Sequence, residues 1–178
     1  MPINVSARKL HERGEIIMNT QNSTVTKLAE TALMAALCYV SFTFLQIKIP
    51  VPGGDATSIH IGNAFCVLAA LLIGGVYGGL SGAIGMGIAD LMDPVYITGA
   101  PKTFVLKFCI GLITGLVAHK YAKINESTDK AYVFKWSLIA SIAGLAFNVV
   151  ADPIVGYFYK QYILGQPQEL AEALAKMS

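Results

Sequence analysis

Five long apolar stretches run along the chain, separated by short polar segments. They cover about residues 29–47, 59–73, 76–91, 103–118 and 136–158. The first, AETALMAALCYVSFTFLQI, is long enough to cross roughly 30 Å of hydrocarbon at about 1.5 Å per residue. Between the first and second lies KIPVPGGDATS (48–58), whose Pro50, Pro52, Gly53 and Gly54 prevent a helix from continuing. The second and third stretches meet at IGGVYGG, where Gly74, Gly78 and Gly82 recur every four residues, as do Gly75 and Gly79. Such small-residue ridges let helices touch closely in lipid, where no hydrophobic drive pulls them together, so these glycines read as packing surfaces. DPVYITGAP (93–101) forms a second break and HKYAKINESTDKAYVFK (119–135) a charged connector. The pattern predicts an all-α integral membrane protein, a compact bundle of transmembrane helices over 28–178 with five spans visible. A polar tail, 1–27, precedes it, and residues 1–17 read as a dispensable extension. Residues 159–178 read as a mildly amphipathic outer segment before a sixth span expected beyond the last residue.

Composition agrees: 54% of residues are hydrophobic and 13% charged, with mean hydropathy +0.58. Soluble domains carry about 25% charged residues. A net charge of +2, with Arg8 and Arg13 both in the tail, excludes a basic nucleic-acid stripe. Cys38, Cys66 and Cys109 fall in separate apolar runs without CxxC spacing, so buried thiols are expected and neither a disulfide nor a metal site. Lys and Arg concentrate in the tail and in 119–135, while the loops 48–58 and 93–102 hold one lysine each. The positive-inside rule then places the tail in the cytoplasm and those two loops outside.

With that orientation, the polar residues inside the apolar stretches fall in the outer half. His60 and Asn63 open the second span three residues apart on one face, and Asp90 closes the third. Lys107 lies about 8 Å below the outer surface, and Asn148 and Asp152 share a face of the fifth span. A charge at mid-membrane costs about 2.5–3.5 kcal/mol, so such residues face a cavity or a partner. For single residues a structural pair of Lys107 with Asp152 or Asp90, plus helix-end capping, explains as much. For the group, a one-sided cluster flanked by two Pro/Gly loops has the form of a ligand pocket. It lacks Arg for gripping a dianion, and Tyr96 offers a ring for stacking. A small, nearly neutral heterocycle bearing hydroxyls suits it.

Two motifs suggest catalysis and fail. Gly79-Leu80-Ser81-Gly82 matches the GxSG of rhomboid serine proteases, but Ser81 lies at the opposite end of the bundle from His60, and His119 falls beyond its span. GMGIAD has no preceding strand and no third glycine, and no P-loop exists to hydrolyse ATP.

The Ala32-x-x-x-Ala36 face, the loop 48–58, IHIGN (59–63), LIGGVYGGLSGAIGMGIAD and PKTFVLKFCIGLITGL (101–116) together resemble the S components of energy-coupling factor (ECF) vitamin transporters. The likeness runs from about Lys27 onward and lies within the riboflavin-type S-component family of Gram-positive bacteria, nearest its hydroxymethylpyrimidine and vitamin B6 branch. It implies a non-enzymatic, multi-pass subunit of an ABC-type importer in a bacterial plasma membrane. That subunit captures a small vitamin from outside and delivers it through a transmembrane coupling subunit and two ATPase subunits. It would bind no cofactor itself; ATP and Mg would be used by the partners. Ala32 and Ala36 would contact the coupling subunit, Pro50, Pro52, Gly53 and Gly54 would belong to a lid, and His60, Asn63, Asp90, Tyr96, Lys107, Asn148 and Asp152 would line the pocket. The family has six helices, so a sixth would complete that pocket. Riboflavin or pantothenate remains open as the substrate, and a rhomboid-like protease or a ligand-free assembly subunit as other classes.

Overall fold

The computed structural model describes residues 5–51 and 55–165. Five α-helices follow one another: α1 Val5–Phe44, α2 Gly62–Ile73, α3 Gly75–Met92, α4 Ala100–Gly115 and α5 Lys130–Phe158. π-helical turns, Leu116–Tyr121 and Tyr159–Ile163, extend α4 and α5. Thr24–Phe44, Ile97–Tyr121 and Lys130–Ile163 are long and apolar enough to cross a membrane. At 12 residues, α2 spans only about 18 Å. It is joined to α3 through Gly74, whose φ of 94° is a conformation that side chains rarely allow.

The boundaries differ from the apolar pattern in physically instructive ways. α1 begins at Val5, far before residue 29. Lys, Arg and Glu are good helix formers, so the polar stretch can carry the helix on without apolar periodicity. The segment 48–58 is a β-hairpin: β1 (Gln46–Val51) pairs antiparallel with β2 (Asp55–His60), in register Gln46↔His60 to Val51↔Asp55. A two-stranded sheet has only edges, where Pro50 is tolerated. Pro52, Gly53 and Gly54 lie outside the described residues. The hairpin claims His60, so His60 and Asn63 do not share a helical face: one ends a strand and the other begins α2. α4 starts at Ala100 rather than 103, with Pro101 in its first turn, where a missing N–H costs nothing. α5 starts at Lys130, its N-terminus capped by Asp129, whose Oδ1 accepts from the Ala131 N–H at 2.9 Å. Of the expected outer segment 159–178, residues 159–163 continue α5; the chain from 166 on lies outside the described residues.

α3 is the centre, packed against α1, α2 and α4, while α5 packs on α4. Close approach explains five of its six glycines, Gly87 being the exception. A Cβ on Gly78 would strike the backbone of Ala69 and Ala70, and one on Gly85 the carbonyl of Ala35 in α1. Gly75 and Gly79 face Gly115 and Gly111 of α4, so two four-residue glycine pairs interlock backbone to backbone. Around this spine Cys38, Phe42, Cys66, Val67, Met86, Ala89 and Ile110 form the core. Cys38 and Cys66 are buried and Cys109 is half-buried; all three are free thiols.

Candidate ligand-binding site

Lys107 sits about two turns into α4 and is only 5% exposed. Its Nζ donates to Asn148 Oδ1 on α5 at 3.4 Å. The ion pair considered from the sequence does not form as expected. Asp152 takes Lys102 instead, Nζ to Oδ1 at 2.7 Å, because Lys102 lies nearer the outer turn of α5 that carries Asp152. Lys102 also lies over Gly156, where a Cβ would meet Nζ at 3.5 Å, an ordinary contact. A second tie lies nearby, Tyr159 Oη, in the turn that extends α5, donating to the carbonyl of Thr98 just before α4 at 2.8 Å.

From α3, Asp90 is 3% exposed. Thr103 of α4 lies beside its carboxyl group, and Oδ1 is buried without a partner among the described residues. The hairpin delivers His60, whose ring lies edge-on to Phe42 at 4.5 Å between centroids. Phe42 in turn meets Tyr96, from the turn after α3, at 6.1 Å. His60 Nδ1 and Asn63 Oδ1 are buried and unpartnered. Lys107 lies within electrostatic range of Asp90, Asp152 and His60. The fold thus gathers His60, Asp90, Lys107, Asn148 and Asp152 in one region and sets Tyr96 beside it through Phe42. Asn63 stands at the start of α2 with no hydrogen bond to the others among the described residues.

Buried polar atoms are normally satisfied, and each one left without a partner costs about 1–3 kcal/mol. Three such atoms, on His60, Asn63 and Asp90, cluster at the hairpin end of the bundle. An arrangement of this kind is set up to receive donors and acceptors from a bound molecule.

Several participants carried no sequence signal. Lys102 read as a loop charge, and Thr103 and Phe42 as ordinary span residues. Tyr39, Phe42, Thr43, Gln46, Ala89, Met92, Asp93 and Pro94 line a cleft of ≈ 320 Å³ between the ends of α1 and α3. None of the seven residues proposed from the sequence lines it. The helical spacing of 39, 42 and 43 at the end of α1, with Gln46 opening β1 just beyond, is the one signal that could have found it.

Ser81, by contrast, is 0% exposed and its Oγ donates to the Gly78 carbonyl of its own helix at 2.7 Å. His119 Nε2 lies 3.0 Å from the Ala70 carbonyl near the end of α2. Neither takes part in a Ser–His dyad. On α1, Ala35 is buried against α3, whereas Ala32 and Ala36 are exposed.

Helices interlocked through glycine, long apolar spans and a buried, incompletely satisfied polar cluster at one end define an integral membrane protein with a candidate small-molecule site. Residues 22–177 match the family described as ECF-type riboflavin transporter, S component, and the chain belongs to that family. It is a family of transporter subunits and not of enzymes. The chain is also 32% identical over 76 residues to a Pyrococcus woesei protein described only as an uncharacterized protein in gap 3'region. That match takes in 43% of this chain and spans about half (49%) of the relative's length. No solved structure matches it.

Proposed function

We propose that this protein is the substrate-binding subunit of an ATP-driven, ECF-type vitamin importer in a bacterial plasma membrane. It binds a small vitamin, hydroxymethylpyrimidine or a pyridoxine-like ring, from outside. It then passes the vitamin through a transmembrane coupling subunit powered by two ATPase subunits, which use ATP and Mg. Its N-terminus lies in the cytoplasm, as the placement of Lys and Arg supports.

The observation that carries this reading is the burial of Lys107 with, among the described residues, only the neutral Asn148 oxygen within hydrogen-bonding distance, beside an Asp90 carboxylate that lacks a described partner for one oxygen. A buried cation costs several kcal/mol unless charge or dipoles compensate it. A heterocycle presenting an acceptor to Lys107 and a donor to Asp90 supplies both. His60, Asn63, Tyr96 and Asn148 complete the proposed contacts, while Asp152 acts through Lys102. The segment 48–58, with Pro50, Pro52, Gly53 and Gly54, would serve as the lid, and the exposed Ala32 and Ala36 as the contact with the coupling subunit. The family's description names riboflavin, which keeps riboflavin as a second candidate.

The test is mass spectrometry of small molecules released from protein purified in mild detergent, followed by titration calorimetry with hydroxymethylpyrimidine, pyridoxine, riboflavin and pantothenate. One vitamin at near-stoichiometric amount, lost in Lys107→Met, is the expected result. A protein that is empty and ignores all four would overturn the proposal.

A further inference from the structure

The cleft between α1 and α3 is separate from the residues assigned above, yet it adjoins them through one ring. Phe42, 5% exposed, forms part of its wall and also meets His60 and Tyr96 edge-on. Around the cleft the polar groups are poorly served. Thr43 Oγ1 and Gln46 Oε1 are buried with no hydrogen-bond partner among the described residues. The Tyr39 hydroxyl donates only to the Met92 sulfur, at 3.4 Å, a weak acceptor. Asp93 turns its Oδ1 back to the Val95 N–H at 3.0 Å. Ala89, Met92, Pro94 and the two aromatic rings make the rest of the lining apolar.

Sites for small molecules combine such apolar and aromatic walls with a few convergent polar groups, in volumes from about 300 Å³. At ≈ 320 Å³ the cleft holds a single small ring and little more. No described residue satisfies the Thr43 and Gln46 oxygens, so their polar atoms remain for an occupant of the cleft.

We propose that this cleft is a binding subsite for the planar ring of the transported vitamin, with Gln46 and Thr43 reading hydrogen-bonding groups on the ring edge and Tyr39 and Phe42 its faces. The inference rests on the carrier reading given above. Phe42 is the partition between this subsite and the polar interior, so the ligand's ring lies against α1 while its polar substituents reach toward His60. Gln46 and Thr43 are then specificity-determining residues, and they favour rings with donor as well as acceptor edges over purely anionic ligands.

Thr43→Val and Gln46→Leu test this, singly and together, in detergent-purified full-length protein. Hydroxymethylpyrimidine, pyridoxine and riboflavin serve as calorimetric probes, with thermal unfolding measured in parallel. The expected result is a Tm without ligand equal to or above that of the parent, with affinity for the bound probe reduced roughly 10- to 30-fold in the double variant. The ligand-induced rise in Tm shrinks accordingly. Equal affinity in parent and double variant, with Lys107→Met abolishing binding, would overturn the subsite and leave the carrier reading standing. A fall in the unliganded Tm that accounts for the weaker binding would also overturn it, since it assigns both groups to the fold. If the parent binds none of the three probes, subsite and carrier readings fall together.

Discussion

Adding a single methyl group to α3 or α4 has opposite expected effects a few residues apart. A Cβ built on Gly111 meets the Cα and N of Gly79, and one on Gly79 comes to 2.6 Å from the Phe108 carbonyl oxygen. Both obstacles are backbone, so no side chain can rotate away and the two helices must separate. Overpacking of this kind costs about 1–3 kcal/mol, occasionally more. Against it stands the better helix propensity of alanine, about 0.8–1.0 kcal/mol. Gly79→Ala and Gly111→Ala should therefore each destabilise by a net amount of about 1–2 kcal/mol. The Gly79→Ala/Gly111→Ala pair should cost less than the sum of the two, because one separation of the helices accommodates both methyls.

Gly87 is the internal control. Its Cβ would meet Phe104 Cδ2 at 3.5 Å and Cβ at 3.9 Å, an ordinary contact, so Gly87→Ala should stabilise by about 0.5–1 kcal/mol. The assay is reversible unfolding in mixed micelles followed by far-UV circular dichroism, with all four variants in one detergent. A Gly111→Ala protein as stable as Gly87→Ala would refute the glycine-to-glycine contact between α3 and α4. Additive costs in the double variant would refute a shared displacement.

The pair Lys102–Asp152 is only 17% and 21% exposed, so Asp152→Ala should cost about 3 kcal/mol by stranding the cation, and Lys102→Met/Asp152→Leu should recover most of it. A double-mutant cycle on thermal unfolding reads the coupling, and a value near zero would dismiss the pair. Ser81→Ala removes a hydroxyl already bonded within its own helix; stability should change by less than about 1 kcal/mol and vitamin binding not at all, which calorimetry checks. Because Ala32 and Ala36 are exposed, Ala36→Trp should leave vitamin affinity unchanged while blocking co-purification with the coupling subunit. Retention of the complex at parental yield would remove α1 from that interface.

What the chain alone determined rests on composition and period. Five apolar stretches must become helices because lipid offers no partner for a bare N–H or C=O, and the four-residue glycine spacing had to become a packing surface. The polar residues His60, Asp90, Lys107 and Asn148 could be placed at one end by counting along spans, since rise per residue is fixed. Other features depended on residues distant in sequence. The hairpin register that pulls His60 out of α2 depends on Gln46 finding it across the turn, and the local pattern of 59–73 reads equally well as helix. The choice of Lys102 over Lys107 for Asp152 depends on the relative height of α4 and α5, which meet closely where Gly144 lies against Thr114. The facing of Gly75 and Gly79 with Gly115 and Gly111 is likewise a property of two helices together. The cleft beside Phe42 exists only because α1 and α3 diverge past Gly85, the point where their backbones touch. One-dimensional periodicity fixes which face of a helix is buried; which neighbour buries it, and at what height, is decided by the close packing of the assembled bundle.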